Sequence, residues 1–285
     1  MKGIHLLSFD DAARNGWSAW PRRAARTLLS TMPVRRAVEA RYDHHFETAS
    51  RAHLFRGVYA SFEDAQRHAP PTKPMGYDNP GPAAMYRSRP AMLPLSEYPV
   101  LFWLACLLPG AARLFDFGGH VGVRYYDFRS RLMFPAGFMW QVMDVPAVVE
   151  AGRRLAVENA AAELMFTERR DDLAGADVLY ASGSLQYLER PLPEILAPII
   201  ARPRHVIINH MPMRDGPARY TLQSIGTAFC PYRLEDRASF LAGMAALGYE
   251  LVEQWTCPEK YCPIPFHADY SVRGYTGMYL RGPGA

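Results

Sequence analysis

Cysteine is scarce in this chain: Cys106, Cys230, Cys257 and Cys262 are all that 285 residues contain. Four thiols so spread make no dense disulfide framework, and a reducing cytoplasmic setting is expected. Long apolar runs are missing too. No stretch reaches the roughly 18 residues of a membrane-spanning helix, and Met1 to Asp11 has no extended apolar core of the signal-peptide kind. Nor is there an excess of one charge. A formal net charge of +4 is too small to argue for nucleic acid as a partner. We find no internal repeat and no low-complexity tract. What remains is 49% hydrophobic and 21% charged, the balance of a globular chain with a large core, expected as one main domain plus an appendage.

Residues 1–56 are basic, with ten Lys or Arg against five Asp or Glu. Helices are expected over residues 17–26 and 34–46, with Pro33 suited to the first turn of the second. Leu28, Leu29, Val34, Val38 and Tyr42 fall near helical spacing, so the segment reads as an amphipathic helical cap. A membrane-surface or partner-binding helix, including a homodimer contact, is the alternative. Residues 57–94 are rich in Pro and Gly and read as a lid or linker, where Tyr77 and Asp78 would either lie over a ligand or simply be exposed at the surface. The expected division is a cap and lid over 1–94 and an α/β domain over 95–285.

Ser96 should cap a helix over 98–108 that is apolar nearly all round and therefore buried. From there the pattern alternates. Strands are expected at 113–117, 140–143, 164–167, 178–181 and 205–209, with helices at 121–132, 147–162 and 192–200 between them. This alternation specifies a parallel sheet covered by helices on both faces. A long connection then leads to a helix over 237–247 and two strands, 249–255 and 274–281, joined by a Pro- and Cys-containing excursion.

The chemistry gathers at strand ends. Asp116-Phe117-Gly118-Gly119-His120-Val121-Gly122 is an acid followed by a glycine turn before a helix, the way a nucleotide-type ligand is cradled. The second strand ends in Asp144, where an acid can accept both ribose hydroxyls; an N-cap ahead of Pro146 is the alternative. Cys257, Cys262 and His267 match no common metal-ligand spacing, so no metal is expected. Arg233 reads by default as a structural ion pair.

The first motif resembles the Asp-x-Gly-x-Gly-x-Gly loop of class I S-adenosylmethionine-dependent methyltransferases. Asp144-Val145-Pro146-Ala147-Val148 is similar to the Asp-Leu-Pro-x-Val segment of small-molecule O-methyltransferases. Over about residues 55–281 the chain resembles a family of bacterial methyltransferases often encoded beside cell-surface polysaccharide genes. The matching stretches are Phe55-Arg56-Gly57-Val58-Tyr59, Tyr98-Pro99-Val100-Leu101-Phe102-Trp103-Leu104, Ser182-Gly183-Ser184-Leu185-Gln186-Tyr187 and Cys230-Pro231-Tyr232-Arg233.

The resemblance implies a Rossmann-like seven-stranded sheet closed by an antiparallel strand, with S-adenosyl-L-methionine as cofactor. It also implies methyl transfer to oxygen or nitrogen of a small molecule or sugar. Asp116, Gly118, Gly119 and Gly122 would hold the methionine part, Asp144 the ribose and Val145 the adenine. Glu168 is either an adenine contact or a surface acid. Ser182 and Gly183 would line the sulfonium centre.

Two positions depart from the pattern. His120 replaces the middle glycine, and Gln186 stands where plant-type O-methyltransferases place a general-base histidine. Glutamine only positions a polar group, so His210, just past the fifth strand, is either the replacement base or a histidine that satisfies backbone groups at a strand end, and Tyr187 and Tyr77 complete the acceptor side. An aromatic site without a clear base also suits cyclisation of the cofactor to azetidine-2-carboxylate with release of methylthioadenosine, which proximity accelerates. A catalytically silent partner subunit is the third reading.

Overall fold

The computed structural model describes residues 32–50, 52–78 and 93–285. The helix expected over 17–26 and the proline–glycine run 79–82 fall outside them. The chain divides into two compact units, with the boundary between Thr48 and Ala49. In the first, helix α1 (Met32–Thr48) covers the expected 34–46, and Arg35 pairs with Glu39 one turn on at 2.7 Å, a contact of a few tenths of a kcal/mol.

The second unit opens with β1 (Ala52–Tyr59) and α2 (Phe62–Arg67). Then follow α3 (Glu97–Leu107), β2 (Arg113–Phe117), α4 (Val123–Phe128), β3 (Met139–Met143), α5 (Pro146–Glu158) and β4 (Leu164–Thr167). The later elements are β5 (Val178–Ser182), α6 (Leu192–Leu196), β6 (His205–Met211), β7 (Met213–Arg214), β8 (Arg219–Ile225) and β9 (Phe229–Asp236). Helix α7 (Arg237–Ala246), β10 (Glu250–Cys262) and β11 (Val272–Arg281) close the chain.

The main sheet has the order β10-β11-β6-β5-β2-β3-β4. Its five central strands are parallel, and β11 runs antiparallel to both β6 and β10. This is a Rossmann-like α/β architecture with seven strands. Trp140, Tyr180 and Leu114 pack on one face with Val100, Leu104 and Phe128. Phe115, Leu179 and Ile208 pack on the other with Leu196 and Phe240. Burial on both faces is why the central strands read as unbroken apolar runs.

Three expectations need correction. Helix α3 is not buried all round: Val100 and Leu104 are, whereas Tyr98 and Phe102 are 57% and 58% exposed. An apolar sequence gives no period from which to read a buried face. The long connection after β6 carries strands that were not expected. Its residues form β8 and β9, which pair with β1 and β7 in a second sheet of order β1-β8-β9-β7, so the start of the supposed lid is a strand. The excursion between the last strands is the far end of one long hairpin, where Cys257, Cys262, Val272 and Tyr275 pack with Phe55, Tyr232 and Leu234 of the second sheet.

One irregularity matters for the site. Ile208 pairs with Met278 and Met211 with Thr276, so Asn209 and His210 face the single residue Gly277. That is a β-bulge, which redirects the side chains it carries. Trp255 lies across Gly277 and donates from Nε1 to Asn209 Oδ1 at 3.0 Å. A Cβ at Gly277 would come within 2.0 Å of that Nε1. Gly277→Ala should therefore destabilise the protein by about 1–3 kcal/mol through overpacking, seen as a lower urea midpoint at unchanged slope. An unchanged midpoint would mean that the bulge does not depend on this contact.

Candidate functional site

The acids and small residues singled out in the sequence converge. β6, β5, β2 and β3 are neighbours, and their C-terminal ends carry His210, Ser182, Asp116 and, one residue past β3, Asp144. In an open α/β sheet this end, where the strand order reverses, forms the ligand crevice.

Asp116 is 1% exposed. Its Oδ2 accepts from Trp140 Nε1 at 3.0 Å. Burial raises its pKa to about 7, against the lowering effect of the Trp140 bond. The glycine turn lies directly on this carboxyl, since a Cβ at Gly119 would meet Oδ2 at 2.3 Å. Gly118 and Gly122 have φ of +69° and +82°. His120, in place of a glycine, takes φ +57°, a conformation that costs a side-chain-bearing residue about 1–2 kcal/mol. Its backbone N–H donates to Asp144 Oδ2 at 2.9 Å, and Val145 N–H donates to Asp144 Oδ1 at 2.8 Å. Asp144 does not cap α5; Val145 is the N-cap residue and Pro146 opens the helix. Burial raises the pKa of Asp144, opposed by those two bonds. Glu168 is exposed.

Gly183 has φ +70°, and an added Cβ would make ordinary contacts with His210 Cβ at 3.6 Å and Gln186 Nε2 at 3.7 Å. Gln186 is buried, and its Oε1 has no hydrogen-bond partner among the described residues. Tyr187 packs edge-on against Tyr77 and Tyr232, with centroids 4.8 and 5.2 Å away. Its hydroxyl donates to Gln223 Oε1 at 2.7 Å and receives Tyr77 Oη–H at 3.2 Å. Burial, then Tyr77, pushes its pKa well above 10, so Tyr187 offers a ring face rather than a proton. Two residues before Tyr77, Met75 bridges to Phe229 at the start of β9.

His210 is the most deeply enclosed of the side chains singled out for the acceptor side. At 3% exposure, burial, then Lys260 and Arg124, drives its pKa down to about 2. A ring held neutral this firmly is a poor proton store at neutral pH. Ser182 Oγ lies 3.2 Å from its Nδ1 and Ser96 Oγ 2.8 Å from its Nε2. Ser96 makes no side-chain cap to α3, contrary to expectation, because its hydroxyl is engaged here. Beside it, Glu97 is fully buried and its Oε1 sits 2.5 Å from Arg124 Nη2. Burial raises its pKa, against the pull of Arg124.

Sequence reading missed Ser96 as a site residue, and with it Glu97, Arg124, Asn209 and Glu259. An acid inside an apolar run (Glu97) and an arginine two residues past the glycine turn (Arg124) were the available signals. Arg233 is a structural pair, with Nε 2.8 Å from Glu235 Oε2. Cys257 and Cys262 are buried in core. A shallow cavity of 330 Å³ lined by Gly137, Phe138, Met139 and Met165 opens at the opposite end of β3 and β4.

No family model and no curated protein matches the chain. Among solved structures, it is similar to the Burkholderia thailandensis 1,6-didemethyltoxoflavin-N1-methyltransferase, crystallised with 1,6-didemethyltoxoflavin and S-adenosylhomocysteine. That likeness is 18% identical, covers 66% of this chain and 78% of that one, and has a TM-score of 0.44. The [4+2]-cyclase SpnF is 15% identical over 72% of this chain and 89% of its own, with a TM-score of 0.48. The glycopeptide N-methyltransferase MtfA, complexed with S-adenosyl-L-methionine, is 11% identical over 66% and 94%, with a TM-score of 0.44.

The buried carboxyl of Asp116 has a consequence for stability. Folded, it holds its proton more tightly than the unfolded chain, where the value is 3.8. Its contribution is therefore greatest below pH 3.8 and is lost as the pH rises through about 7. Asp116→Asn should flatten the decline of unfolding free energy between pH 4 and 7, measured by urea titration across that range. The same decline in the variant would exclude Asp116 as its source.

Proposed function

We propose that this chain binds S-adenosyl-L-methionine across the ends of β2 and β3 and moves its methyl group to oxygen or nitrogen of a small molecule or sugar. The observation that carries this reading is Asp144. Its two oxygens are fixed by backbone N–H groups of His120 and Val145, so the glycine turn and the acid at the next strand form one unit. An ionised carboxylate has about four acceptor positions, so two remain for a pair of ribose hydroxyls. Gly183 and Ser182, both partly exposed, fit a ligand that continues from Asp144 across β2 to the tip of β5.

When bound, the cofactor supplies a methyl group on a positively charged sulfur. The chain's own contribution is placement, which accounts for much of the acceleration in a reaction between two held groups. Gln186 Oε1, buried without a partner among the described residues, accepts from the hydroxyl or amine to be methylated. The rings of Tyr77 and Tyr187 wall the acceptor side, where aromatic faces favour cations by up to about 2 kcal/mol when desolvated. His210 acts here as a neutral hydrogen-bonding group.

Calorimetry with S-adenosylhomocysteine tests the reading. The wild type should bind at micromolar concentration, and Asp144→Ala should lose about 1.5–3 kcal/mol, the value of hydrogen bonds to a charged acceptor. Equal affinity in a folded variant would remove Asp144 from the site. An absence of wild-type binding would leave the silent-partner reading.

One observation favours a second reading, cyclisation of the cofactor itself. Burial raises the pKa of Asp116 to about 7 beneath the glycine turn, and also raises that of Glu97, which pairs with Arg124 just past that turn. There they would relieve an amine of its proton before it closes on its own chain. Incubation with S-adenosyl-L-methionine alone separates the two by mass spectrometry: methylthioadenosine formed without an acceptor supports cyclisation, and unreacted cofactor excludes it.

A further inference from the structure

Four side chains from four separate elements meet end to end between the tip of β5 and the hairpin of β10 and β11. Ser96 Oγ–H donates to Glu259 Oε1. A hydroxyl has one proton, so toward His210 Nε2, 2.8 Å away, Ser96 presents only a lone pair. Nε2 must therefore carry the ring hydrogen. Carboxylates reinforce that choice: Glu97 Oε1 and Glu259 Oε1 lie 3.6 and 3.8 Å from the same nitrogen. Lys260 and Arg124 face the ring as well and, with burial, keep it from taking a second proton. Asn209 does not compete. Its Oδ1 is occupied by Trp255 and by Cys257 Sγ–H at 3.1 Å, which leaves Nδ2 for Ser96 O at 3.2 Å; its 3.5 Å approach to Nε2 is too long for a bond of consequence.

With hydrogen on Nε2, Nδ1 is bare and takes the proton of Ser182 Oγ, 3.2 Å away. Ser182 then has no donor left. Of its two lone pairs, one lies toward the Tyr180 hydroxyl on the same face of β5, and the other is what a ligand meets. Ser182 also lies level with the glycine turn. Asp116 pairs with Tyr180, which sets Ser182 two residues on beside Gly118, and Ser184 Oγ donates to Phe117 O at 2.5 Å across the same seam. Gln186 Oε1, on the other side of Gly183, is a second buried acceptor without a partner among the described residues.

We infer that Glu259, Ser96 and His210 form a positioning relay that makes Ser182 Oγ a one-way hydrogen-bond acceptor, which recognises an N–H or O–H donor of the ligand held at the glycine turn. The identity of that ligand rests on the function proposed above; the direction of the relay does not. The strained φ of +57° at His210 and the bulge around it are the backbone cost of seating the ring in the chain of bonds.

Long-range proton–nitrogen spectra of 15N-histidine-labelled protein test the relay directly, with His210 assigned by His210→Gln. The wild type should show the Nε2–H tautomer, unchanged from pH 5 to 9. Ser96→Ala and Glu259→Ala, the latter at a partly exposed side chain, should shift His210 toward Nδ1–H, and Ser96→Thr should restore the wild-type signal. A wild-type Nδ1–H tautomer, or no shift in either variant, would overturn the relay. Calorimetry with S-adenosylhomocysteine tests its use: Ser182→Ala should bind at least about fivefold more weakly, the worth of one hydrogen bond, and Ser182→Thr should recover. Equal affinity would overturn the role of Ser182 toward ligand. Failure of the wild type to bind would instead count against the cofactor, with the tautomer result still deciding the relay.

Discussion

The carboxyl of Asp116, buried under Gly119 and bonded to Trp140 from the neighbouring strand, sets the position of everything at the open end of the sheet. It ties β2 to β3 and leaves the turn no room for a side chain at its second glycine. With that turn pressed down, the His120 N–H reaches Asp144, and the two strand ends become one rigid edge. A buried acid in such a place is costly to ionise, and its elevated pKa is the mark of that cost.

Beyond this edge the second sheet and the long hairpin of β10 and β11 supply the opposite wall. Tyr187 and Tyr77 stand there with hydroxyls already spent on one another and on Gln223. Near the tips of β5 and β6 lies the polar chain of Ser182, His210, Ser96 and Glu259. Burial keeps the His210 ring neutral and the Tyr187 hydroxyl protonated, which sets this arrangement apart from one built to take a proton from the acceptor. Chemistry that depends on holding groups in place fits such surroundings better than chemistry that needs a strong base.

Much of this was legible in the residues. The alternation of apolar runs with helical stretches gave the parallel sheet, and the strands at 113–117 and 164–167 fall at the bounds read from sequence. The glycine turn and Asp144 were visible because their chemistry is local. The second sheet was not. Its strands β1 and β8 lie over 150 residues apart and carry glycine, arginine and glutamine where a regular alternation would be expected, so no local pattern announces their pairing. Ser96 misled for a different reason. A serine before a helix has the same appearance whether its hydroxyl serves the backbone or a distant histidine, and only the bulge at Asn209 and His210, a long-range pairing event, decides between them. Glu97 gave only a weak signal, as an acid at a helix start is ordinary until it is found buried against Arg124.

The central claim is that the ends of β2 and β3 form an adenosyl site. A crystal structure of the protein grown with S-adenosylhomocysteine addresses it most directly. The account predicts ribose hydroxyls within hydrogen-bonding distance of Asp144, with the turn from Gly118 to Gly122 beside the amino-acid part. Density for the ligand elsewhere, or a glycine turn closed against Asp144 with no room for a sugar, would contradict it.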